Sequence, residues 1–384
     1  MPSSSTQPMQ PMQPMPRVSS RDRPSVVASS TALPPHAYGQ RELARHASQI
    51  LAENERSEAA IARFFDHVGV KSRHLALPLE AYAKLDGFAD RNRAYIAAAV
   101  ELGASALRSA FAEAQIDAKD VSLLMTTTVT GVAVPSIDAR LMNILPFSTN
   151  LKRMPLFGLG CLGGAAGLAR VAEYLRAFPD EIAVLLSVEL CSLTFQRGDA
   201  SVANLVSAGL FGDGAAAIVL QGSRCARSSQ TGQSAGTPAT SPRVVASRSV
   251  FFPDTERVMG WDVLDTGFKV VLSPDVPAIV EANVPHAVDG FLHDMGLRRS
   301  DIASWIIHPG GPKVIAALES SLGLDPHALD ATREGLASVG NLSSASVLFL
   351  LDQYRRHRAP PAGSYGLLMA MGPAFCAEMV LLQW

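Results

Sequence analysis

Two hydrophobic periods alternate along most of this chain. Uninterrupted apolar runs such as VSLLMTTTV (121–129), EIAVLLSVEL (181–190) and AAAIVLQ (215–221) have the length and composition of buried strands. Between them, residues 92–114, 162–177 and roughly 199–210 space their apolar positions by three and four, as helices with one buried face do. The second part repeats the theme. FKVVLS (268–273) and SWIIHPG (304–310) predict strands, residues 277–295, 312–322 and 342–357 predict helices, and GLLMAMG (366–372) and EMVLLQ (378–383) predict two closing strands. Such alternation implies buried sheets covered by helices, an α/β fold. No clear sequence repeat relates the two parts.

Two segments break the pattern. The start, MPSSSTQPMQPMQPMP and onward to residue 33, is rich in Pro, Ser, Gln and Met and predicts a disordered tail without the apolar core of a secretory signal. Residues 222–243 form a second low-complexity stretch and predict an exposed insertion, with Cys225 incidental to function. The domain reading is therefore a tail (1–33), a first half (34–221), the insertion (222–243) and a second half (244–384). At 384 residues the chain is long enough for an ample core. Its 33 basic and 35 acidic residues, without long basic runs, argue against nucleic acid as a partner. The apolar runs are too short and interrupted to span a membrane. Cys161, Cys191, Cys225 and Cys376 are widely spaced, which disfavours a disulfide framework or a zinc site and makes a reducing cytoplasm the expected compartment.

One cysteine stands out within this frame. In PLFGLGCLGGAAGLARV, Cys161 lies between glycine-rich turns, and Leu168, Val171, Ala172 and Leu175 mark a helix beginning just after it. Amide N–H groups and the helix dipole at that end favour a thiolate, so Cys161 reads either as a nucleophile or as a small core residue. His308 ends an apolar strand in WIIHPGGPKVI and could serve as its partner or simply close a turn. Asn341, in SVGNLSSASVLFLL, could donate to a developing oxyanion or cap a helix.

GLGCLGGAAG, LFGDGAAAIVL, IIHPGGPKVI, SVGNLSSASV and GPAFCAEM occur in the order found in type III polyketide synthases, the chalcone synthase-like family, which the chain resembles over about residues 35–384. The resemblance implies a thiolase fold, a five-layered αβαβα sandwich of two similar halves, and a homodimer. It places Cys161, His308 and Asn341 in a catalytic triad. Cys161 would take an acyl group from a starter acyl-CoA. His308 and Asn341 would hold malonyl-CoA while it decarboxylates, and the enolate would extend the chain before cyclisation. The resemblance implies no metal or redox cofactor; coenzyme A thioesters are substrates. It further places Phe211, Phe268, Cys191, Thr194, Val129, Val134 and Ser343 around the cavity, and Lys71, Arg73 and Lys313 near the phosphates of coenzyme A.

The chain departs from plant members in AMGPAF, where Ala374 replaces a glycine, and at Val129 and Cys191, where plant enzymes carry threonines. TTTVTGVAVPS, RMPLFGLGC and SVELCSLT are similar to bacterial alkylpyrone and alkylresorcinol synthases, which implies long-chain starters. Three rival assignments make different demands on the sequence. A fatty-acid-priming ketoacyl synthase would follow its histidine with Gln-Ala-Asn, whereas this chain has HPGG. A thiolase would need Cys376 as a second active cysteine. A silent acyl-CoA-binding homologue would not consume malonyl-CoA.

Overall fold

The computed structural model describes residues 22–51, 55–225 and 240–384. The first half contributes β1 (Ser25–Ala32), β2 (His36–Gly39), β3 (Ser72–Leu75), β4 (Leu123–Thr128), β5 (Lys152–Phe157), β6 (Ile182–Leu190) and β7 (Asp213–Gln221). Its helices are α1 (Gln40–Leu51), α2 (Glu55–His67), α3 (Leu79–Tyr82), α4 (Gly87–Ala114), α5 (Ile137–Leu141), α6 (Gly163–Ala177) and α7 (Val202–Leu210). The second half contributes β8 (Arg243–Phe251), β9 (Met259–Leu264), β10 (Gly267–Leu272), β11 (Ile302–Ile307), β12 (Tyr365–Gly372) and β13 (Cys376–Gln383). Its helices are α8 (Val276–Asp294), α9 (Pro312–Leu322), α10 (Asp330–Val339) and α11 (Ser346–Gln353).

Nine strands form one mixed sheet in the order β11-β12-β13-β8-β1-β7-β6-β4-β5, with β2–β3 and β9–β10 as separate pairs. FKVVLS is thus a strand, but of the β9–β10 hairpin and not of the main sheet. Strand alternation builds the layers. Val184 and Leu186 of β6 face α4, while Ala183 and Leu185 face the central layer; in β12, Leu367 and Met369 face α8, and Leu368 and Ala370 face the centre. The central layer is α6 and α11, whose Leu168, Val171, Val347 and Leu351 pack between both halves of the sheet. The order α4, first-half strands, α6 with α11, second-half strands, α8 with α9 is the αβαβα arrangement of the thiolase fold.

The predicted tail is too long. Residues 25–32 are β1, in the middle of the sheet, with Val26 and Ala28 fully buried. Pro-x-Val-Val-Ala-Ser occurs twice, at 24–29 and 242–247, and the two copies meet there. Val26 N donates to Pro242 O and Val244 N to Pro24 O, each at 2.9 Å, a reciprocal pair about a local two-fold. A repeat between the halves therefore does exist. The low-complexity insertion lies outside the described residues over 226–239. Its flanks are built into the fold: Arg224 N donates to Pro179 O at 2.9 Å, Cys225 is buried and Arg243 opens β8. The helix expected over 342–357 is a 3₁₀ turn (Ser343–Ala345), α11 and a π turn (Tyr354–Arg358) in succession.

Candidate active site

Cys161 sits on a 3₁₀ turn, Gly160–Leu162, that leads directly into α6. The turn needs glycine: Gly160 has φ +53°, and a Cβ there would lie 2.5 Å from Pro373. Gly163 and Gly164 let the helix approach the segment after Asn341, since a Cβ on Gly164 would meet Ser344 O at 2.1 Å. That segment bends sharply at Ser343, a non-glycine residue at φ +49°. The result is a cavity with about 60 Å³ open to the centres of water-sized molecules, lined by Cys161, His308, Asn341, Ser343, Val129 and Phe211 with mainly apolar neighbours.

His308 follows β11 and is held by its backbone N donating to Met369 O at 2.9 Å. Its ring is buried with no hydrogen-bond partner on either nitrogen, and burial lowers its pKa to about 3. It is therefore a neutral imidazole at neutral pH, with an N–H to donate. Cys161 Sγ is 3.7 Å from Ser343 Oγ; burial pushes the thiol up to about 12, against the lowering effect of Ser343. No hydrogen bond joins His308 to Cys161, so the expected pairing is a shared cavity and not a bond. Asn341 Oδ1 accepts from Ser343 N at 2.8 Å, which leaves its Nδ2 donors for a ligand. It both opens the following turn, as a cap does, and lines the cavity.

The structure sorts the other expected residues. Val129 and Ser343 are on the cavity of Cys161, whereas Cys191 and Thr194 line a neighbouring cavity with about 90 Å³ open to water centres. Phe211, Trp261 and Val270 line both spaces and form the wall between them. Phe268 does not line either; it is buried against Phe88, Phe157 and Trp261. Val134 is 98% exposed on a loop outside the cavity. Arg73 cannot meet a phosphate at the surface: it is buried and donates to Ala208 O and Phe211 O, both at 2.6 Å. Lys71 and Lys313 are exposed, on segments that touch where Gly69 meets Pro312. Ala374 takes φ +57°, a conformation that favours the glycine it replaces.

Sequence reasoning passed over Glu189. It is fully buried, accepts from Thr130 Oγ1 (2.8 Å), Val129 N (3.1 Å) and Ser344 Oγ, and burial raises its pKa to about 7. A lone carboxylate within the otherwise apolar IAVLLSVEL was the available signal. Trp261 gave no such signal.

Residues 14–224 match the model of the N-terminal domain of chalcone and stilbene synthases, and residues 243–384 match that of their C-terminal domain. The chain belongs to the chalcone and stilbene synthase family. A 1,3,6,8-tetrahydroxynaphthalene synthase of Streptomyces peucetius subsp. caesius is 47% identical over 94% of this chain and 93% of its own. A 3,5-dihydroxyphenylacetyl-CoA synthase of Streptomyces toyocaensis is 32% identical over 94% and 90%. The crystal structure of the 1,3,6,8-tetrahydroxynaphthalene synthase of Streptomyces coelicolor A3(2), a bacterial type III polyketide synthase, superposes with a TM-score of 0.85 at 30% identity, covering 94% of this chain and 99% of the other. This type III polyketide synthase is accordingly a condensing acyltransferase. Among its described residues, no helix is long and apolar enough to cross a membrane.

Proposed function

We propose that this enzyme builds a poly-β-keto chain from malonyl-CoA on Cys161 and cyclises it to a polyhydroxylated arene of the tetrahydroxynaphthalene type. The 47% identity to a tetrahydroxynaphthalene synthase along nearly the whole chain carries this reading. Ten ring carbons correspond to five two-carbon units. A second reading, a long acyl starter cyclised to an alkylpyrone or alkylresorcinol, draws support from the space beyond Phe211, where Cys191 presents a weakly polar thiol beside Leu75 and Leu79.

Either product uses the same proposed steps. Moving the Cys161 proton to His308 turns two desolvated neutral groups into an ion pair, whose attraction in a low-dielectric cavity offsets the burial of each charge. Sγ attacks the thioester carbonyl, and coenzyme A leaves as the thiol with the proton from His308. In the next step His308 and Asn341 Nδ2 donate to the carbonyl oxygen of malonyl-CoA. Its carbon–carboxylate bond breaks, carbon dioxide departs and the enolate attacks the acyl carbon on Cys161, whose bond to Sγ breaks so that the lengthened chain is left on coenzyme A. Loss of carbon dioxide supplies the carbanion, so the scheme calls on no metal or redox cofactor. Lys71 and Lys313 suit the phosphates of coenzyme A, being exposed on segments that touch. A homodimer fits the exposed apolar side chains at the sheet edge, Met154 and Phe157 of β5, with Val134 lining the same surface pocket as Phe157.

The test supplies carbon-labelled malonyl-CoA as sole substrate and identifies products by mass spectrometry. A ten-carbon polyhydroxyarene is expected. Product only when a long-chain acyl-CoA is added would overturn this reading for the second. Cys161→Ala should lose the acyl adduct, and His308→Ala or Asn341→Ala should slow carbon dioxide release about 10²-fold or more.

A further inference from the structure

The cavity beyond Phe211, Trp261 and Val270 is mostly apolar, with Leu43, Ala47 and Phe65 among its walls, but three arginines also line it and, among the described residues, no aspartate or glutamate does. Arg73 has a counter-charge in Asp213, whose carboxylate accepts from Ala76 N at 2.6 Å and Ser192 N at 2.8 Å. Arg91 and Arg197 differ. Arg91 is 8% exposed and gives Nη1 to Phe195 O at 2.6 Å; Arg197 gives Nη1 to Ala83 O at 3.2 Å. Both partners are neutral carbonyls, and among the described residues neither guanidinium is in an ion pair. Arg91 Nε, Arg197 Nη2 and the cavity-lining Ser207 Oγ are buried without a partner. Each arginine also repels the other, and burial together with that repulsion lowers the pKa of Arg91.

Two uncompensated cations beside an apolar space are costly unless an anion joins them. A carboxylate matches the planar fork of a guanidinium better than any neutral group does. Because Phe211, Trp261 and Val270 line both spaces, this cavity directly adjoins the chamber of Cys161. We propose that the second cavity receives the far end of the chain held on Cys161 and that Arg91 and Arg197 recognise a carboxylate there, so that the enzyme is primed by a dicarboxylic acyl thioester. This rests on the reading that malonyl units start the chain. In loading, the bond from Sγ to the acyl carbon forms as the carbon–sulfur bond to coenzyme A breaks. Coenzyme A leaves as the thiol, and the distal carboxylate is kept.

Glutaryl-CoA and valeryl-CoA make the test, since they share a five-carbon chain and differ in the terminal carboxylate. Loading onto Cys161 without malonyl-CoA is followed by intact mass. Wild type should favour glutaryl over valeryl in kcat/KM by about tenfold or more, the effect of one charge-assisted hydrogen bond. Arg197→Gln should shrink that ratio about tenfold, with Arg197→Lys restoring part of it. A merely structural role would slow both starters alike and leave the ratio unchanged. Equal or inverse selectivity in wild type overturns the proposal, as does an unchanged ratio in Arg197→Gln; if that variant does not fold, the wild-type ratio still decides. The two readings separate cleanly. An enzyme that makes the arene from malonyl-CoA but ignores the glutaryl carboxylate keeps its proposed function and loses this subsite. Glutaryl selectivity without a malonyl-only product does the reverse.

Discussion

Gly164→Ala tests how tightly the turn carrying Cys161 is held against the segment carrying Asn341. The new Cβ would stand 2.1 Å from Ser344 O and 2.9 Å from Val347 Cγ1, more than 1 Å inside ordinary contact with a backbone atom. Both sides are buried, so neither can swing into solvent: Gly164 and Ala165 pack in α6, and Ser344 is fully buried. Overpacking of this kind costs about 1–3 kcal/mol. For a chain of this length that lowers Tm by roughly 1–4 °C. The larger effect falls on turnover. Relief by separating α6 from the 343–345 turn moves Cys161 away from Asn341, and a misplacement of about 1 Å costs about 10²-fold. Thermal unfolding and malonyl-CoA turnover measure the two effects, with Gly198→Ala as control because nothing lies within 4 Å of its Cβ. A Gly164→Ala enzyme with wild-type Tm and turnover would refute the reasoning.

Deleting residues through Ala32 should abolish folding. It removes β1 from between β7 and β8 and takes Ser29 Oγ and Val27 O from the buried guanidinium of Arg355. Arg355 keeps Glu113 and Thr240 O but loses these two acceptors, and each buried donor left unsatisfied costs about 1–3 kcal/mol, a large share of the usual 5–15 kcal/mol stability. Soluble yield and circular dichroism decide it, and a folded, active truncation would contradict the place given to β1. His308 should make the protein acid-sensitive. Its folded pKa of about 3 lies below the unfolded value of 6.5, so between them only the unfolded chain binds the proton and stability falls as pH falls. Glu189 and Asp213, raised to about 7 and 6, act in the opposite sense, each losing stability as pH rises through its folded value. The difference in unfolding free energy between wild type and His308→Gln cancels them. It should shrink by about 1.4 kcal/mol per unit from pH 6.5 to 5, and a pH-independent difference would show that the imidazole is solvated.

The strands buried on both faces were legible because all nine residues of β6 and of β7 are buried, which yields continuous apolar runs. β1 was not, because SVVASSTA is short, carries three serines and a threonine, and adjoins a Pro-rich stretch. Its buried serines are satisfied by residues far away in sequence, as Ser29 Oγ is by Asp352 Oδ1 at 2.6 Å. The repeated Pro-x-Val-Val-Ala-Ser was the missed clue. Cys161, His308 and Asn341 were readable as residue types at strand and helix ends, where a sheet edge delivers side chains to a cavity. Which chamber each wall residue serves was not readable. Arg73 looked like a surface cation because local sequence does not reveal that two carbonyls 135 and 138 residues away receive its guanidinium.

That guanidinium has a further consequence. Arg73 moors Phe211 O, its stem presses on Gly340, and Asn341 N donates to Leu210 O while Gly212 N donates to Asn341 O. The wall between the two chambers and the amide proposed to stabilise the enolate thus share one anchorage. Substitutions that reshape the chamber at Phe211 are felt at Asn341, which makes product size and turnover epistatic traits. Lineages or engineers that widen this chamber must re-tension the Arg73 anchorage in the same step, or trade speed for a new ring.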